Sequence, residues 1–172
     1  MWARSIILTR PESAGAKYRG RVGRDVLRPA TPGDLEALMA LEAECFGDRQ
    51  FRRDTVAWIL DNPDGATIVE DRGGIVGSIM VQFDRDACRI LSVAVRPAWR
   101  RRGIGGALME AAERLARGLG SKAVRLEVGT ENRAAIQFYK KLGYKIEGLL
   151  YGYYRDGEDG YAMHKALGEA NA

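Results

Sequence analysis

The apolar positions change period along the chain, and the changes mark its elements. Val26-Leu27-Arg28-Pro29 reads as a short strand. Thr31-Pro32-Gly33-Asp34 predicts a helix start: Thr at the cap, Pro at the first helical position and an acid three residues after the cap. Leu38, Leu41 and Cys45 then recur on one helical face to about Cys45. A shorter helix over 54–60 carries Val56, Ile59 and Leu60, and Asn62-Pro63-Asp64-Gly65 ends it. The period then falls to two. Strands over 66–70 and 74–83 flank Asp71-Arg72-Gly73 as a hairpin, and Asp84-Arg85-Asp86 turns the chain into a strand over 87–95. Its end, from Ile90 to Val95, is almost wholly apolar, as expected of a strand covered on both faces.

Glycines at 103–106 interrupt the pattern before a helix to about Leu119, with Ile104, Leu108, Leu115 and Leu119 as its buried stripe. Over 123–128 alternation returns, Val124, Leu126 and Val128 on one face and Arg125 and Glu127 on the other. Asn132 caps a helix to Leu142, which Gly143 stops. Strands over 144–154 and 161–165 close the chain as a hairpin around 156–160. The order is β-α-α-β-β-β-α-β-α-β-β. The strand–glycine loop–helix–strand stretch is a right-handed crossover, so its two strands are expected to be parallel, and the flanking hairpins antiparallel. The predicted fold is one mixed α/β domain over 26–172: a mainly antiparallel sheet with a central parallel pair.

Composition narrows the class. A chain of 172 residues, 46% hydrophobic and 29% charged, can bury a core without staples. Cys45 and Cys88 make no disulfide framework and no metal-ligand spacing; they fit a reducing compartment, and the expected location is the cytoplasm. No apolar run reaches the roughly 18 residues of a membrane span. The net charge of +4 suggests a polyanion partner until it is located: residues 1–25 hold six basic and two acidic side chains, and the remainder is balanced. The body therefore gives no argument for nucleic acid. Residues 1–25 are expected to be a flexible basic leader, either an extension without function or an arm that contacts RNA or a partner.

Chemistry concentrates at Arg100-Arg101-Arg102-Gly103-Ile104-Gly105-Gly106, between a buried strand and a helix. Unpaired N–H groups and the positive end of the helix dipole favour a phosphate there, and glycines let it approach. The Walker pattern is absent, and position 108 of a dinucleotide fingerprint is Leu. Alone, the spacing R-x-x-G-x-G is equally compatible with a glycine packing site, and the arginines with a solvated patch.

The stretch Val93-Ala94-Val95-Arg96-Pro97-Ala98-Trp99-Arg100-Arg101-Arg102-Gly103-Ile104-Gly105 resembles the acetyl-CoA-binding motif of the GNAT superfamily of N-acetyltransferases. Leu126-Glu127-Val128, Asn132, Ala135-Ile136 and Phe138-Tyr139-Lys140-Lys141-Leu142-Gly143-Tyr144 are similar to its next strand and helix. Residues 153–163, Tyr153-Tyr154-Arg155-Asp156-Gly157-Glu158-Asp159-Gly160-Tyr161-Ala162-Met163, resemble the C-terminal hairpin of RimI-type and other protein N-terminal acetyltransferases. The likeness spans about Val26 to Leu167 and implies the GNAT fold, helices on both sheet faces, and acetyl transfer to an amine.

The resemblance also implies roles. The pantetheine arm of acetyl-CoA would lie along Val93, Ala94 and Val95, with a main-chain N–H there for the oxyanion. The pyrophosphate would lie on Arg101, Arg102, Gly103, Ile104, Gly105 and Gly106, and Asn132 would add a contact. Glu127 would be the general base; read from the residues alone it is equally a solvated acid paired with Arg125. Tyr139 would protonate the leaving thiolate; read alone it is a core tyrosine. Phe46 and Asp48 would grip the acceptor, and Tyr153 and Tyr154 would wall its slot. The loop over 45–53 differs from the family's hydrophobic, often acidic, version by its basic residues Arg49, Arg52 and Arg53. No metal is implied. The acceptor would be a protein or peptide N-terminus, with a lysine side chain or small amine as the alternative, and a ribosome-associated role stays open. A non-catalytic acyl-CoA-binding module is the reading from another class.

Overall fold

The computed structural model describes residues 26–168; the basic leader lies outside them. Seven strands form one sheet in the order β1-β2-β3-β4-β5-β7-β6. In chain order they are β1 (Val26–Pro29), β2 (Gly65–Asp71), β3 (Ile75–Asp84), β4 (Ala87–Val95), β5 (Ala123–Gly129), β6 (Lys145–Leu150) and β7 (Gly160–Ala166). The helices are α1 (Leu35–Phe46), α2 (Arg53–Asp61), α3 (Ile104–Gly118) and α4 (Arg133–Lys141). Only β4 and β5 run parallel; every other pair is antiparallel. This is the fold class and order read from the sequence.

Apolar stripes place the helices on both faces. Leu38 and Leu41 of α1 and Val56 and Ile59 of α2 pack with Val69, Met80 and Ala94 of the sheet. On the opposite face, Leu108, Met109, Ala111, Ala112 and Ala116 of α3 and Ile136 of α4 pack with Ile79, Val81, Cys88, Val124 and Leu126. The alanines of α3 let its backbone lie close to the strands. Each fully buried leucine contributes roughly 1.5–3 kcal/mol. Glu113 anchors α3 to the far strands: its buried carboxylate accepts from Tyr144 Oη at 3.1 Å and Lys165 Nζ at 2.7 Å.

Some boundaries differ from the pattern. Leu119 lies past the end of α3 and is exposed. The strand expected over 144–154 stops at Leu150. Its pairing is already irregular between Ile146 and Gly148, and Gly152 takes a φ of +55°. The segment over 151–159 is instead a loop, closed by the Gly152 N–H donating to Asp159 at 2.7 Å and Tyr154 N–H donating to the Glu158 carbonyl at 3.0 Å.

The feature that makes a site is a split in the sheet. β4 pairs with β5 only from Ala87↔Ala123 to Arg89↔Arg125, yet β4 runs on to Val95 and β5 to Gly129. A bulge begins the divergence: Met80 of β3 faces Ser92, the next residue Val81 faces Ile90, and Leu91 is the extra residue. Such a bulge bends its strand and sharpens the twist. Beyond it, the β4 edge turned to β5 has no strand partner.

Candidate active site

The split opens as a cleft of about 420 Å³, lined by Leu91 to Val93 of β4, Leu126 to Gly129 of β5, and side chains of α1, α4 and two loops. Val93 lines it. Ala94 points the other way, into the core beneath α1 and α2. The Val95 carbonyl accepts from Arg100 Nε at 3.0 Å and from Cys45 Sγ at 3.4 Å.

Past β4 the chain turns into α3. Arg101 has a φ of +60° and Gly103 a φ of +81°. A left-handed non-glycine residue costs of order 1–3 kcal/mol and persists only where its surroundings enforce it. Gly103 caps α3 with no side chain on the first N–H groups, and the first helical bond runs from Ala107 N to the Gly103 carbonyl at 3.0 Å. The N–H groups of Ile104, Gly105 and Gly106 therefore lack helical partners, which suits an anion. A Cβ at Gly105 would stand 3.3 Å from the Phe138 ring, so a side chain there requires that ring to give way by a few tenths of an ångström. Arg102 and Arg72 both stack on Trp99, with centroid distances of 5.0 and 5.2 Å.

Glu127 and Tyr139 meet in the cleft. Glu127 is not paired with Arg125. Its Oε2 accepts from Arg89 Nε at 3.2 Å and Nη2 at 3.0 Å, and Arg89 Nη2 also donates to Tyr153 Oη at 2.9 Å. Both Arg89 bonds fall on Oε2, and the Tyr153 hydroxyl also lies within hydrogen-bonding reach of the carboxylate. Tyr153 thus stands behind Glu127 rather than on the cleft wall. Tyr139 lies against Phe138 and Tyr144 edge to face, at 5.2 and 5.9 Å. Burial, with Tyr154 nearby, pushes its phenol up to about 12. Asn132 lines the cleft and spends its side-chain oxygen on the α4 cap, accepting from Ala135 N at 3.1 Å. Its amide nitrogen remains for a ligand.

The loop after α1 divides the sequence-derived residues. Phe46 lines the cleft and Asp48 is exposed outside it. Arg49 takes the inner position. It forms ion pairs with Asp156 and with Glu158 (2.6 Å) and lies 4.9 Å over the Tyr154 ring. Arg52 pairs with Asp54 and Arg53 with Glu36, so the basic run is neutralised locally. Arg49 ties the loop after α1 to the loop between β6 and β7 across one end of the cleft. Glu158 is itself fixed by accepting from Glu131 N at 2.9 Å.

Three side chains of the site were not singled out from the sequence, Glu42, Arg89 and Ser92, and Arg49 was noted only as part of a basic run. Glu42 had a signal. It falls on the stripe of Leu38, Leu41 and Cys45, one acid among apolar positions. Arg49 and Arg89 act through pairings with residues 107 and 38 positions away, which no local spacing displays.

Residues 35–144 match the Acetyltransferase (GNAT) family. The chain is 34% identical over 148 residues to the N-terminal acetyltransferase A complex catalytic subunit NAA10 of Arabidopsis thaliana, covering 82% of this chain and 77% of the relative. Ard1 from Thermoplasma volcanium superposes with a TM-score of 0.77 at 31% identity, over 86% of this chain and all of that one. The ribosomal-protein-S18-alanine N-acetyltransferase of Escherichia coli shares the fold, with a TM-score of 0.78 at 24% identity over 86% and 96% of the two chains.

Proposed function

The chain belongs to the acetyltransferase (GNAT) family, and from that premise we propose that this acetyl-CoA-dependent enzyme acetylates the N-terminal α-amine of a protein by direct attack in a ternary complex. The observation that carries the reading is the cleft itself: Glu127 and Tyr139 at the strand split, and an acceptor end spanned by Arg49 from loop to loop. A spanned slot suits a chain end better than a side chain on a broad surface. The relatives named for N-terminal acetylation support the same acceptor.

Acetyl-CoA fits the residues present. The unpaired edge of β4 near Val93 offers main-chain groups to the pantetheine arm, and the N–H groups of Ile104 to Gly106 offer a seat to the pyrophosphate. An N–H of that edge near Val93 or Ala94 stabilises the oxygen that becomes negative as nitrogen attacks the thioester carbon. Glu127 takes a proton from the acceptor nitrogen, directly or through water. Tyr139 faces the departing sulfur. A phenol raised to about 12 would be a poor acid for an exposed thiol near ~8.5. Desolvation in the cleft raises a leaving thiol as well, which narrows that gap.

Two experiments bear on this. Gly105→Glu drives a side chain toward Phe138 and sets a negative charge where the pyrophosphate belongs. It should weaken acetyl-CoA binding at least 100-fold by calorimetry while circular dichroism stays native; a loss under threefold would remove the phosphate from this loop. The acceptor is tested with hexapeptides differing in their first residue, all with free α-amines and one internal lysine. Fragment masses should place the acetyl group on the terminal nitrogen of a subset. Label confined to lysine, or none on any peptide, contradicts the assignment.

A further inference from the structure

Glu42 is 2% exposed, and it lines the cleft. Its Oε1 accepts from Ser92 Oγ at 2.6 Å and its Oε2 from Phe51 N at 3.3 Å. Both donors are neutral. Among the described residues no lysine, arginine or histidine pairs with it, whereas Glu127 has Arg89, Glu113 has Lys165, and Glu158 has Arg49. A buried carboxylate without a cation is costly, and burial pushes the Glu42 carboxyl up; a cation arriving beside it would restore the charged form. Two neutral donors also leave acceptor capacity on both oxygens.

We propose that Glu42 is the anionic half of the acceptor-nitrogen site, receiving an N–H of the incoming ammonium from the wall of the cleft formed by α1 and β4. The inference rests on the reading that the acceptor is an amine. The nitrogen is cationic twice in the reaction: on arrival as ammonium, and again after attack, when its lone pair has become the new N–C bond and it carries a formal positive charge. Between these points one proton leaves toward Glu127, and the remaining N–H groups still include one for Glu42; after attack a second proton leaves the nitrogen and makes good the one Tyr139 gives the sulfur, so amide and thiol form with one proton released. A fixed carboxylate that accepts it aims the lone pair at the thioester carbon and favours the charge that reappears there. Glu42 also joins β4 through Ser92 to the loop after α1 through Phe51 N, so the group that receives the nitrogen links the acetyl-CoA strand to the acceptor loop.

The test separates charge recognition from a structural role. A hexapeptide that the protein acetylates is compared with a twin whose reactive amine is replaced by hydroxyl. Binding is measured at pH 6.5, where the amine is protonated, with CoA present so that no acetyl group can move. The wild type should bind the ammonium peptide at least tenfold tighter than its twin. Glu42→Gln, which keeps the shape, should bring the two within twofold, with CoA affinity unchanged as the sign of an intact fold. Glu42→Asp, which keeps the charge but withdraws it by one methylene, should fall between, and it decides the matter if Glu42→Gln does not fold. An equal preference in all three proteins, or none in the wild type, overturns the proposal. If only a lysine amine is acetylated, the N-terminal reading falls alone, and the same comparison with that peptide and its side-chain hydroxyl twin still decides the role of Glu42.

Discussion

Tyr139→Phe is expected to lower kcat about 100-fold, within the range for loss of a positioned general acid, and to leave acetyl-CoA affinity within twofold. The ring stays: its contacts with Phe138 and Tyr144 are made by carbon, and among the described residues its hydroxyl holds no other side chain in place. Only the proton is removed. Raising the pH should not restore the rate, because the leaving thiolate still lacks its donor. Rapid mixing with a peptide acceptor measures this directly. A fall in acetyl-CoA affinity with kcat preserved would make Tyr139 a wall residue of the cleft.

Glu127→Gln should behave in the opposite sense with pH. Its kcat/KM should fall about 30–100-fold at neutral pH, and the deficit should shrink steadily toward pH 9. An α-amine has a pKa of ~7.7–8.0, so above that range most acceptor arrives deprotonated and asks little of a base. A lysine amine near ~10.4 would still need one, a gap of about 2.4 units or roughly 3.3 kcal/mol. Glutamine keeps an oxygen for Arg89, so the arginine is not left wholly bare, and Tyr153 keeps its bond from Arg89. A deficit that is flat with pH would show that Glu127 holds Arg89 and Tyr153 in place rather than taking the proton.

The order of elements along the chain and the one parallel pair were legible from the apolar runs and the turn residues between them; the place of β7 between β5 and β6 was not. The helical crossover between β4 and β5 is what makes that pair parallel. The split between β4 and β5 was not legible. It depends on the bulge at Leu91, and nothing in an apolar run marks one of its residues as extra. Glu127 and Tyr139 were visible through the resemblance, and the structure brings them to one cleft. The loop after α1 was read less well. Asp48 carries the acidic character expected there but faces outward, and Arg49 turns in because Asp156 and Glu158, more than a hundred residues on, attract it. Likewise the partner of Glu127 lies on the neighbouring strand at Arg89, and not two residues away on its own. Distant charge pairing decides both, and sequence period reports only faces.

The central claim, acetyl transfer from acetyl-CoA to an α-amine, is tested most directly by competing two acceptors in one vessel. One peptide has a free α-amine and its lysine blocked; its twin has the α-amine blocked and the lysine free. With purified protein, acetyl-CoA and both peptides at pH 7.5, mass spectrometry should show the free α-amine peptide acetylated at least tenfold faster. Faster labelling of the lysine twin would contradict the account.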